Sequence, residues 1–104
     1  MAKPVILAVD DDPQVLAAVR RDLRTHYAES YQVAAAPSGE EALQAVRELA
    51  DGGRVVAAFV VDQRMPGMTG TEFMIEAQKT FPEAKRILLT AYADTEAAIQ
   101  AIND

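Results

Sequence analysis

The sequence predicts an α/β fold, three αβα layers around a parallel sheet, and three observations carry that prediction. Short, β-branched apolar runs alternate with helical stretches in the order βαβαβαβα. Helix-start signals (Asp12-Pro13, Ser38 with Glu41, Asp94) precede three of the four helical stretches. Polar side chains collect where strands end: Asp10, Asp11 and Asp12 after the first, Asp62 after the third, Thr90 after the fourth. At 104 residues the chain is a single domain, residues 1–104, with one core.

The first strand is VILAV (5–9), continuous, β-branched and bounded by Pro4 and three aspartates. Asp12 then caps a helix whose first residue, Pro13, has the fixed φ a helix start needs. Val15, Leu16, Val19 and Leu23 make its buried stripe, with Arg20, Arg21 and Arg24 facing out. The second strand is YQVAA (31–35). Ser38 and Glu41 form a capping box for the helix that buries Ala42, Leu43, Val46 and Leu49 and ends at Asp51-Gly52-Gly53. The third strand is VVAAFVV (55–61). A helix from about Thr69 to Thr80 stacks Phe73, Ala77 and Phe81, and Pro82 forces a turn. RILLT (86–90) is the fourth strand, and Asp94 caps a last helix containing Ala97, Ala98, Ile99 and Ile102.

Composition removes several functions. Ten basic against sixteen acidic side chains leave a net charge of −6, which argues against nonspecific binding to nucleic acid or to anionic membranes. The absence of cysteine excludes disulfides, thiolate metal sites and thiol catalysis. The N-terminal apolar run of five residues is neither a signal peptide nor a membrane span, so a soluble cytoplasmic protein is expected. The lone histidine, His26, has no second ligand at helical spacing and reads as a surface residue complementing a helix C-terminus.

The aspartates need a different account. In a parallel sheet the ligand crevice lies beyond the carboxyl ends of the strands, where strand order reverses. Carboxylates gathered there repel one another unless they are hydrated, protonated or neutralised by a cation. Asp12 is explained by its cap, whereas Asp10, Asp11 and Asp62 exceed what structure requires. Oxygen ligands without His or Cys favour a hard ion, and a few carboxylates plus water suit Mg²⁺ better than a Ca²⁺ cage. The acidic loop after strand one would expel a bare phosphate of the flavodoxin type. Neither G-x-G-x-x-G nor G-x-x-x-x-G-K-[ST] occurs, which argues against a nucleotide site.

Val9-Asp10-Asp11, Val61-Asp62 with Met65-Pro66-Gly67 and Gly70, and Leu89-Thr90-Ala91 together resemble the CheY-like receiver domain of two-component response regulators. The resemblance implies a flavodoxin-like sheet of strand order 2-1-3-4, with the family's fifth strand and helix beyond residue 104. It makes Asp62 the phosphoacceptor for a sensor histidine kinase or phosphotransfer protein. Asp11 would bind Mg²⁺ (or Mn²⁺) directly, Asp10 through water, with Asp62 and the main-chain carbonyl of Arg64 completing the protein's ligands. Thr90 would swing to hydrogen-bond the phosphoryl group, for which Ala91 leaves room. Met65 reads as core filling. The family's strand-five lysine and aromatic residue have no counterpart, since Lys79 and Lys85 are misplaced. The chain is therefore expected to be part of a longer protein with an output domain, which could itself be an enzyme, after residue 104. In the 104-residue chain alone the fourth strand and last helix would be uncovered, which favours dimerisation or element swapping; in a longer parent its fifth strand would cover that edge. Two other readings stay open: a haloacid-dehalogenase-type phosphatase using Asp10 of a D-x-D pair, and an unphosphorylated pseudo-receiver.

Overall fold

VILAV offers water no polar side chain, and all five of its residues are buried. It is β1 (Val5–Val9) of a computed structural model that describes residues 2–89 and 99–102. The elements that follow are α1 (Pro13–Tyr27), β2 (Gln32–Ala36), α2 (Gly39–Asp51), β3 (Val56–Asp62), α3 (Gly70–Thr80) and β4 (Lys85–Leu89). Residues 99–102 are again helical. The strands form one parallel sheet of order β2-β1-β3-β4, as the resemblance implied.

From β1 the chain crosses outward to β2, then returns past β1 to β3 and continues to β4. Right-handed crossovers in opposite directions place α1 and α3 on opposite faces of the sheet. One face buries Leu7, Val9, Phe59 and Val61 against α2 and α3, where the Phe59 and Phe73 rings meet edge to face at 5.5 Å. Met65 is buried in this layer, as expected of a core filler. The other face buries Ile6, Ala8 and Val60 against Val19 and Leu23 of α1. Between β1 and β3 the strand order reverses, and that point opens the crevice at their carboxyl ends.

The capping chemistry sets most of the helix starts. Asp12 Oδ1 accepts from the amides of Gln14 (2.9 Å) and Val15 (3.3 Å), with Pro13 opening α1. Thr69 and Glu72 form a reciprocal capping box at α3. At α2 only half of the expected box forms: Ser38 Oγ accepts from the Glu41 amide at 3.1 Å. Gly53 ends that segment at φ +71°, a left-handed conformation. His26 lies exposed in the last turn of α1.

Three strands differ from expectation by one residue at their ends. Tyr31 donates to the Tyr27 carbonyl at 2.8 Å and so closes the turn after α1, leaving β2 to start at Gln32. Val55 is 61% exposed and precedes β3, which runs on to include Asp62. Lys85 joins β4 opposite Ala58, and its ammonium donates to the carbonyls of Ala101 and Ile102 at 3.1 and 3.0 Å. Thr90, Ala91, Asp94, Ala97 and Ala98 lie outside the described residues. Ile102, expected to lie partly uncovered, is buried with Ile99 on the α1 face. There the Tyr27 hydroxyl donates to the Ile99 carbonyl.

Candidate functional site

Asp10 directly follows the central strand, so its carboxylate is drawn into the sheet edge and is only 6% exposed. Its Oδ1 accepts from the Asp12 amide at 2.9 Å, which folds the three aspartates into a tight turn. That turn sends Asp12 to the helix cap and leaves Asp11 exposed. The D-x-D pair of a haloacid-dehalogenase-type site would need Asp12 at the reaction centre, and its cap role places it elsewhere.

Asp62 is the last residue of β3, opposite Leu89 of β4, and is half-buried. The backbone amides of Arg64 and Gln63 beside its carboxylate favour the charged form. The loop beyond it is fixed by backbone bonds, Gln63 donating to the Leu89 carbonyl and Gly70 to the Gln63 carbonyl, both at 3.2 Å. The Gln63 side-chain oxygen also accepts from the amide and hydroxyl of Thr71, both at 2.8 Å. Gly67 turns the loop at φ +81°. Gly70 admits the closest approach: a Cβ there would lie 2.6 Å from the Asp62 carbonyl oxygen and 3.0 Å from Gln63 Cα. Neither the Gln63 pin nor this close approach shows in the sequence pattern. The only local sign is a glycine placed first in a helix just after a strong cap.

Carboxylate oxygens of Asp10, Asp11 and Asp62 lie within 4.8 Å of one another. Two oxygens on one Mg²⁺, at bonds of about 2.1 Å, can be at most about 4.2 Å apart, so a spacing of up to 4.8 Å is on the scale that one ion and a bridging water can serve. The donor set is all oxygen, which fits a hard divalent cation. Burial raises the Asp10 pKa; the Asp12 amide opposes that shift, and the charges of Asp62, Asp11 and Asp12 add to it. Burial likewise raises Asp62, opposed first by the Arg64 amide, while the charge of Asp11 adds to the rise. In both groups the fold therefore disfavours the charged form.

A pH dependence follows. A carboxyl raised above its unfolded value of 3.8 supports folding below that pH, and the support is lost as pH rises through the folded pKa. Without divalent cations, raising the pH from about 4 to 7 should destabilise the wild-type chain more than Asp62→Asn, which lacks one of the two groups. Paired thermal melts in chelator measure this; identical pH slopes would show that Asp62 is not strained in the folded state.

A family model described as the response regulator receiver domain matches residues 6–104. The chain belongs to this receiver family. It is 34% identical over 99 residues to the hydrogenase transcriptional regulatory protein HoxA of Cupriavidus necator, covering 95% of this chain and 19% of that one. Similarity to the sensor kinase CckA of Brucella abortus is 36% over 89 residues, 86% of this chain and 9% of the kinase. The crystal structure of a response regulator receiver domain protein from Clostridium thermocellum superposes with a TM-score of 0.69 at 26% identity, covering 96% of this chain and 75% of that one. The receiver domain thus spans about a fifth of HoxA's length and about a tenth of CckA's. Among the described residues, no helix is long and apolar enough to cross a membrane.

Proposed function

We propose that this receiver domain accepts a phosphoryl group on Asp62 from the phosphohistidine of a sensor kinase or phosphotransfer protein, in a reaction that requires Mg²⁺. The observation that carries the reading is the convergence of Asp10, Asp11 and Asp62 at the reversal point of the sheet. An Asp62 carboxylate oxygen attacks phosphorus as the phosphorus–nitrogen bond breaks; the donor's other ring nitrogen carries a proton, so the imidazole leaves neutral and an aspartyl phosphate remains. The Arg64 and Gln63 amides orient the carboxylate for that attack. Asp11, the Asp10 carboxylate acting through water, Asp62 and the main-chain carbonyl of Arg64 would hold the cation. When bound, the cation supplies the positive charge that offsets the acidic cluster and the phosphoryl oxygens. Thr90 is assigned the switching hydrogen bond to the phosphoryl group. An output domain beyond residue 104 and a cytoplasmic setting complete the proposal.

Incubation with acetyl phosphate, or with beryllofluoride and Mg²⁺, followed by mapping of the adduct, tests it. An adduct on Asp62 supports the receiver role, one on Asp10 supports a phosphatase, and none supports a pseudo-receiver. Mg²⁺ titration adds a second check. Asp11→Ala should weaken binding at least tenfold, about 1.4 kcal/mol, and equal affinity would remove Asp11 from the site.

For the 104-residue chain alone, self-association is proposed through β4, the edge strand of the sheet among the described residues. Leu88 is 45% and Ile75 57% exposed there, and Thr71, Met74, Gln78 and Arg86 complete a cleft between α3 and β4. Sedimentation should show dimers at high concentration; a monomer throughout would show that this face needs no cover.

A further inference from the structure

A cationic feature lies at the end of the sheet opposite the aspartates. Lys3 precedes β1, Gln32 opens β2 and Arg54 precedes β3, so all three sit at the amino ends of parallel strands. With Arg20 and Arg24 of α1 and Tyr31 they line a cavity of about 650 Å³. That volume falls in the range of small-molecule sites.

Among the described residues, no acidic side chain lines the cavity. Lys3 donates to the Ala28 carbonyl (2.7 Å), and Arg54 to the Lys3 carbonyl (2.9 Å) and Gln32 Oε1 (2.6 Å). These neutral acceptors position the two cations without cancelling their charge. Arg20 and Arg24 stand one helical turn apart on α1, where like charges repel. Neither makes an ion pair among the described residues. The buried Arg54 Nε has no hydrogen-bond partner among them. Four of the chain's ten basic side chains therefore converge without a counter-ion in a protein of net charge −6. Net charge alone conceals such a patch, because its members are far apart in sequence.

We infer that this cavity binds a compact phosphorylated small molecule, of nucleoside-diphosphate size. Its phosphates are held by Arg20, Arg24, Arg54 and Lys3, and its aromatic base packs on Tyr31. Arginine forks match phosphate oxygens two at a time. The Tyr31 ring, half-buried and braced edge-on by Tyr27 at 5.5 Å, offers a fixed apolar surface. The acidic remainder of the surface selects against a long polyanion, which would have to leave the cavity and pass over negative charge. The site needs no glycine-rich phosphate loop and is separate from the aspartates.

The test titrates the 104-residue chain with ADP, pyrophosphate and adenosine, in chelator so that no metal links a phosphate to the aspartates. ADP should bind, pyrophosphate more weakly and adenosine hardly at all, with ADP affinity falling as salt rises. The Arg20→Gln/Arg24→Gln double variant, with both changes on exposed positions, should weaken ADP at least tenfold while its thermal melt stays unchanged. Tyr31→Leu should reduce ADP affinity to that of pyrophosphate. No ADP binding, unchanged affinity in the arginine variant, or tighter binding of a single-stranded oligonucleotide or a polyglutamate peptide than of ADP would each overturn the assignment.

Discussion

Asp62→Asn should abolish aspartyl-phosphate formation while leaving the fold intact. The amide keeps the shape of the carboxylate but is a poor nucleophile, so labelling from acetyl phosphate should drop to background. The same change removes one negative charge from a group of three carboxylates within 4.8 Å. Without cations, the variant should therefore be as stable as wild type at neutral pH, or more so. Intact-mass measurement after labelling reads the first effect and a thermal melt in chelator reads the second. Residual stoichiometric labelling would move the acceptor to another residue. A clear loss of stability would instead reveal a structural bond that the carboxylate makes and the amide cannot.

Gly70→Ala should damage both the fold and the site. The added methyl would sit 2.6 Å from the Asp62 carbonyl oxygen and 3.0 Å from Gln63 Cα and from Leu88 Cδ2. Two of these three atoms are backbone, so the strain is relieved only by moving the acceptor loop or tilting the start of α3. Overpacking of this kind costs about 1–3 kcal/mol. Each kcal/mol lowers the melting temperature of a domain this size by about 4–8 °C. Because the loop carries the Arg64 and Gln63 amides that orient Asp62, phosphoryl acceptance should slow as well. Gly53→Ala is the control: a Cβ there meets nothing within 4 Å, so only its φ of +71° is strained. It should cost stability and leave the labelling rate unchanged. Equal labelling by the Gly70 variant and wild type would mean that the loop tolerates displacement.

How far the sequence spoke depended on whether the physics was local. Caps are local, and Asp12-Pro13 and Thr69 mark helix starts that the hydrogen bonds reproduce. Buried parallel strands are apolar on both faces, so β1 and β3 were legible as runs. The ends of β1 were legible to the residue and those of β3 only to within one, because Val55 is as apolar as the strand it precedes and yet is 61% exposed. Convergence of Asp10, Asp11 and Asp62 was predictable from parallel topology alone, since like ends of the strands share one edge. Contacts across the fold were not. Gly70 owes its identity to Asp62 and Leu88, and the basic cavity joins residues 3, 20, 24 and 54. Ile102 finds cover beside α1, a contact that no periodicity describes.

The bond from the Tyr27 hydroxyl to the Ile99 carbonyl makes the protein its own optical probe. The chain has three tyrosines and no tryptophan, so tyrosine signals are not masked. Tyr27 is buried and held edge-on to Tyr31 at an interplanar angle of 88°. Rings fixed in this way give the near-ultraviolet circular dichroism that vanishes when packing loosens. Release of residues 99–102 from α1 would free the phenol and change that band, while the helices seen in the far ultraviolet remained. The docking of the last described helix can therefore be followed in the unlabelled protein.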